Sequence, residues 1–164
     1  MIVTESILQE IFAQLPKYID SNNSEFQPKF EWGDQADLLL FLKTISGNKY
    51  PLVWLVNGDQ SVDNVSKRVT RKCKFIIAKD SRNVTNRNPT VWINDFTKCL
   101  NPLLKNIITA LEASGATAIS GDYVERREAN YTEENLMKAT DFWNVIVLDV
   151  TVIFKDRCVN KIKF

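Results

Sequence analysis

The chain has 164 residues, 45% of them hydrophobic and 25% charged, with five glycines and five prolines. That length suits one domain, that apolar content excludes global disorder, and no apolar run approaches the roughly 18 to 20 residues that cross a bilayer. The net charge of +1 excludes a general attraction to nucleic acid or acidic membrane, so any such contact must be local.

Thr4 is placed to cap a first helix, with Ile7, Leu8, Ile11, Phe12 and Leu15 on one stripe before Pro16 stops it. Residues 20–28 form a polar connection, and Phe30-Glu-Trp32 reads as a short strand. Asp34 suits the cap of a second helix carrying Leu38, Phe41, Leu42 and Ile45, which ends at Gly47-Asn48. Residues 50–56 predict a buried strand that Pro51 starts at an edge and Asn57-Gly58 closes. Over residues 66–79 the pattern alternates, with Val69, Arg71, Cys73, Phe75 and Ile77 on one face and Arg68, Thr70, Lys72, Lys74 and Ile76 on the other. This is a long strand with one wet face. After a polar loop at 80–88, apolar residues recur at helical spacing from Trp92 to Leu111. Pro102 either kinks this helix or, with Asn101 as cap, restarts it, and Gly115 ends it. Residues 122–127 predict a strand leading into a charged hairpin tip at 125–134, and residues 142–154 a long closing strand. The order gives an α+β fold, a single domain over residues 1–164 with an antiparallel or mixed β-sheet and helices packed on one face.

Histidine is absent, which excludes Ser-His-Asp and Cys-His catalysis. Cys73, Cys99 and Cys158 contain no CxxC pair, argue against a disulfide framework or a zinc site, and read as buried or half-buried thiols. Asp59, Asp63, Asp80 and Lys79 are available for a magnesium-dependent nuclease, but each sits in a turn-like context where such residues are ordinary. No glycine-rich phosphate motif is present, and neither a metal nor a cofactor is expected. Trp54 and Trp92, with Phe30, Trp32 and Phe41, read as core or protomer-contact aromatics. Sequons at Asn22, Asn64, Asn83 and Asn130 read as chance products of an Asn-rich chain. The first six residues carry neither the basic start nor the apolar stretch of a secretory signal, so an intracellular site of synthesis is expected. The most basic stretch holds Lys67, Arg68, Arg71, Lys72 and Lys74. On a strand, Arg68, Lys72 and Lys74 face one way, where they can follow phosphates by charge, meet a neighbouring subunit, or keep a sheet edge solvated.

Taken together, the opening amphipathic helix, the Tyr50-Pro-Leu-Val-Trp54 strand, the long alternating strand, the Leu100-Asn-Pro-Leu-Leu-Lys105 helix and the closing Asp141-Phe-Trp-Asn-Val-Ile-Val-Leu-Asp-Val150 strand resemble small neck proteins of tailed bacteriophages. The closest likeness is to tail terminator or tail-completion proteins, which close the tail tube and join it to the head connector. It spans about Ile7 to Phe154 and rests mostly on hydrophobic patterning. The resemblance implies a structural virion protein without catalytic residues, made in the host cytoplasm. It also implies a homo-oligomeric ring, commonly sixfold, around the channel through which genomic DNA passes, with other neck, connector and tail proteins as partners. On that reading the hairpin at 66–79 contacts a neighbour or the lumen, and Glu125, Arg126, Arg127 and Glu128 dock onto an adjacent ring. The alternative is a small DNA-binding accessory protein that uses the basic strand; an enzyme is the third reading, for which no constellation argues.

Overall fold

The computed structural model describes residues 2–20, 22–44, 47–80, 89–131 and 143–164. In chain order the elements are α1 (Thr4–Phe12), β1 (Tyr18–Ile19), β2 (Glu25–Phe26), β3 (Lys29–Gly33), α2 (Gln35–Thr44), β4 (Leu52–Val56), β5 (Gln60–Asp63) and β6 (Arg68–Asp80). There follow α3 (Pro89–Trp92), a π-helical stretch (Ile93–Leu100), α4 (Asn101–Ala113), β7 (Thr117–Ile119), β8 (Val124–Tyr131) and β9 (Trp143–Lys155). Ile45, the loop at 81–88, residues 132–134 of the expected hairpin tip, and Asp141 and Phe142 of the expected closing strand lie outside the described residues.

The two 13-residue strands β6 and β9 pair antiparallel along their whole length, from Arg68↔Lys155 to Asp80↔Trp143. Shorter strands flank them. On one side β5 lies against the first part of β6 and β4 against the later part, and β3 adds parallel to β4. On the other, β7 and β8 share the outer side of β9. The result is a mixed seven-stranded sheet with helices packed against it, the α+β class that the patterning predicts. β5 and β7 are not legible in the sequence: β5 is polar and exposed throughout, and β7 has three residues.

Alternation decides which side chains enter which core. Phe75 and Ile77 of β6 and Ile146 and Leu148 of β9 face α1 and the long helix, where Phe12, Phe96 and Ile107 are buried. Ile76, Ala78, Val145 and Val147 face the reverse side, where Leu38 and Leu42 of α2 cover them with Trp54. Thus α1 and the long helix pack on one face as expected, and α2 covers part of the other. α2 is short, so the reverse face is buried along the rows through Trp54–Ile76–Val147 and Leu52–Ala78–Val145 and at Trp143 in the next row. Toward the start of β6 it is wet.

Several local expectations are corrected. Thr4 does not cap α1; it is the first helical residue, the preceding position is Val3, and its hydroxyl is used elsewhere. The α-helix stops at Phe12, and tighter turns from Gln14 N–H to Ile11 and Leu15 N–H to Phe12 carry the chain to Pro16. Asp34 does cap α2, in a reciprocal box: its Oδ1 accepts the Asp37 N–H and Asp37 Oδ2 accepts the Asp34 N–H, both at 2.9 Å. At Gly33, φ is +148° and a Cβ would lie 2.5 Å from Asp37, so the box needs glycine there. The polar connection 20–28 forms the turn and second strand of the small β1–β2 hairpin, and the turn is held by Asp20 Oδ1 accepting from the N–H groups of Asn22 and Ser24. Asn101 is not a cap either. Its dihedrals are αR and it is the first residue of α4; the π-helical winding changes to α-helix there, with Pro102 in the first turn of α4.

Candidate functional site

The reverse face of the sheet carries the basic strand. Alternation sends Arg68, Lys72 and Lys74 to this side, below the rows that α2 covers. Each has a different setting. Arg68 lies opposite Asp63 on one side and Lys155 on the other; Lys72 is exposed opposite Thr151; Lys74 is half-buried opposite Asp149. Lys67 belongs to the β5–β6 turn, where its φ is +50°. Arg71 is removed from the surface group. It points into the core face, only 3% exposed, so it meets neither DNA nor a neighbour. Because Lys72 stands in solvent and Lys74 opposite a carboxylate, the two respond differently to charge reversal. Lys72→Glu is expected to leave stability within about 0.5 kcal/mol. Lys74→Glu sets like charges directly across a strand pair and is expected to cost about 1 kcal/mol, read from urea midpoints.

Arg71 instead joins α1 to β6. Its Nη1 donates to the Thr4 hydroxyl at 2.8 Å and pairs with the Glu5 carboxylate, while Thr4 donates to the other Glu5 oxygen at 3.0 Å. Arg71 Nε is buried without a hydrogen-bond acceptor. Burial pushes the Glu5 carboxyl up, but the hydrogen bond and charge of Arg71, with its own backbone and Thr4, bring it below the usual glutamate value.

Over its described residues, 125–131, the charged segment is a strand. β8 runs through it antiparallel to β9, so Glu125 and Arg127 point to one face and Arg126 and Glu128 to the other. These charges satisfy one another. Arg127 pairs with Glu125 at 2.8 Å and donates from Nε to Asn101 Oδ1 at 2.9 Å; Arg126 lies 3.8 Å from Glu128 and 3.9 Å from Asp149. Cross-neutralised charges along β8 suit a protected sheet edge.

The nuclease candidates are not assembled. Asp63 lies opposite Arg68 at the start of β6, about 40 Å along the strand from Asp80 at its end, and Asp59, next to the Gln60↔Arg71 pair, lies about 23 Å short of Lys79. Among the described residues, no group of three metal-ligating side chains forms. Lys79 has a structural partner in Asp95 on the π-helical stretch, at 3.0 Å, and also donates to the Tyr18 hydroxyl at 3.2 Å. Burial raises the Cys73 and Cys99 thiols to about 12, which makes both unreactive. Cys158, expected to be buried or half-buried, is exposed on the C-terminal segment. Trp54 is buried, whereas Trp32 and Trp92 keep 37% and 44% of their surface in solvent, so neither is a core residue.

Between α2 and the β3 edge lies a cleft of about 500 Å³ that the sequence does not reveal. Glu5, Glu31 and Asp37 bring carboxylates to it and Trp32, Phe41 and Trp54 line it, with the exposed Leu40 at its rim. Glu31 is the carboxylate that burial affects most simply: desolvation lifts its pKa above the usual value despite the opposing charge of Lys29. These residues come from four separate segments, so only the folded chain gathers them. No protein-family model matches this chain, and no curated protein matches it significantly.

Proposed function

We propose that this chain is a ring-forming structural protein of a tailed-phage neck, a tail terminator or head-to-tail joining protein through whose channel DNA passes. The observation that carries the reading, beside the resemblance in patterning, is the separation of unlike surfaces on one sheet. An acidic cleft with exposed Trp32 and Leu40 occupies the β3 edge, and Lys67, Arg68 and Lys72 occupy the region around the start of β6. Unlike patches on one chain are complementary between copies. Paired head to tail, with a rotation that repeats the contact, they close into a ring. The basic row on the wet half-face supplies local positive charge for phosphates in a chain whose overall charge is near neutral.

Light scattering coupled to size-exclusion chromatography tests this. The expected result is a discrete oligomer with ring-shaped particles by negative stain, or a monomer that oligomerises when a neck partner is added. A persistent monomer that binds random duplex DNA, with affinity falling steeply as salt rises, overturns the proposal in favour of a DNA-binding accessory protein using Arg68, Lys72 and Lys74.

A further inference from the structure

The β5–β6 turn is built as a rigid knob. Asp63 Oδ1 accepts the N–H groups of Val65 at 2.9 Å and Ser66 at 3.2 Å, and Oδ2 accepts the Ser66 hydroxyl at 2.6 Å. The carboxylate is therefore engaged in holding the turn. What the turn presents outward is Val65, 95% exposed and the most exposed large apolar side chain among the described residues, followed by Lys67 in a left-handed conformation. An apolar apex beside a cation, ordered in advance by three hydrogen bonds, loses little entropy on docking.

The cleft at the β3 edge has the reciprocal chemistry. Its aromatic walls accept an apolar apex, and the Glu31 carboxylate, half-buried and opposed only weakly by Lys29, gains from a cation brought to it. The chain cannot fill its own cleft. Val56, at the end of β4 beside the cleft, pairs with Lys74, whereas the turn begins at the Asp63↔Arg68 pair, about 20 Å further down β6.

We infer that the β5–β6 turn of one copy, through Val65 and Lys67, docks into the Glu31–Trp32 cleft of the next copy. The occupant is a second copy of this chain, chosen by complementary charge and by the fixed separation of knob and cleft. This rests on the ring reading above and deepens it by naming the contact. Such a contact uses different surfaces on the two copies, as a closed ring of three or more copies requires.

The test is a charge swap read by sedimentation velocity, with thermal melts of each variant to establish that it is folded. Glu31→Lys and Lys67→Glu are each expected to weaken copy-to-copy association by about tenfold or more, and the double variant E31K/K67E to recover most of the loss. Val65→Asp, on an apex that touches nothing within its own chain's core, is expected to weaken association similarly with an unchanged melt. If the wild-type chain forms a ring that these variants leave intact, the cleft serves another partner and the pairing is overturned while the ring reading stands. If the wild-type chain remains monomeric with and without neck partners, the ring reading falls and the pairing with it.

Discussion

Replacing Glu5 by Ala is expected to destabilise the fold by about 3 kcal/mol, because it leaves the Arg71 guanidinium charged and uncompensated in the core. Arg71 is 3% exposed, and among the described residues its side-chain partners are Thr4 and Glu5, so the substitution removes its counter-ion. The opposite substitution is milder. Arg71→Met fills the same channel with an apolar stem and leaves Glu5, whose side chain is 25% exposed, able to turn to solvent; a loss of about 1 kcal/mol is expected. The double variant E5A/R71M is accordingly expected to be more stable than E5A alone, a coupling that a urea double-mutant cycle reads directly. The pair also sets an acid limit. Since the Glu5 carboxyl titrates below its ordinary value of 4.5, its contribution is present above that pH and is lost as pH falls through the depressed folded value. The wild type should therefore lose more stability than E5A on acidification through this range. Equal acid slopes, or a Glu5→Ala variant as stable as wild type, would show that Arg71 does not depend on this carboxylate.

The same residue shows what sequence reasoning reaches and where it stops. Strict alternation from Val69 to Ile77 assigns Arg71 to the buried face correctly, since period-two patterning fixes direction once a strand is recognised. Grouping Arg71 with the surface cations overrode that assignment, because charge is local in sequence while its partner lies 66 positions away. The capping signal at Asp34 is contained in four residues and is realised; the one at Thr4 is not, because the hydroxyl is claimed by Arg71 from a distant strand. The charged stretch after Val124 lacks hydrophobic alternation, so the sequence ends the strand early. Its strand character comes from pairing with β9, whose apolar face dictates the register. The β3-edge cleft is invisible for the same reason: α1, β3, α2 and the end of β4 each give residues whose meeting depends on the parallel β3–β4 pairing.

Removing the carboxylate of Asp95 should have an effect of similar size and a different location. Asp95 is 6% exposed on the first π turn, accepting from Lys79 Nζ at 3.0 Å and from Asn144 Nδ2 at 2.6 Å, and so ties the helix to both central strands at once. Asp95→Ala takes the acceptor from a largely buried ammonium and from a buried amide, and is expected to cost about 3 kcal/mol. Burial alone would lower the Lys79 pKa, yet its bonds to Asp95 and Tyr18 raise it above the ordinary lysine value. That stabilisation is complete below the ordinary value of 10.5 and is lost as pH rises through the raised folded value, so D95A should blunt the alkaline decline. The loss should also be localised. Pro102 has no N–H to donate, and just before it the Asn101 N–H reaches back five residues to the Phe96 carbonyl, so the wide winding of Ile93–Leu100 meets α4 without a break. Such winding has weaker intrinsic support than an α-helix and relies on Asp95, Phe96, Cys99 and Leu100, all buried beneath it. Hydrogen exchange in D95A should therefore rise first at amides 93–100, with β6 and β9 protected until global unfolding. Uniform deprotection across the sheet would mean that Asp95 supports the whole core and not this stretch.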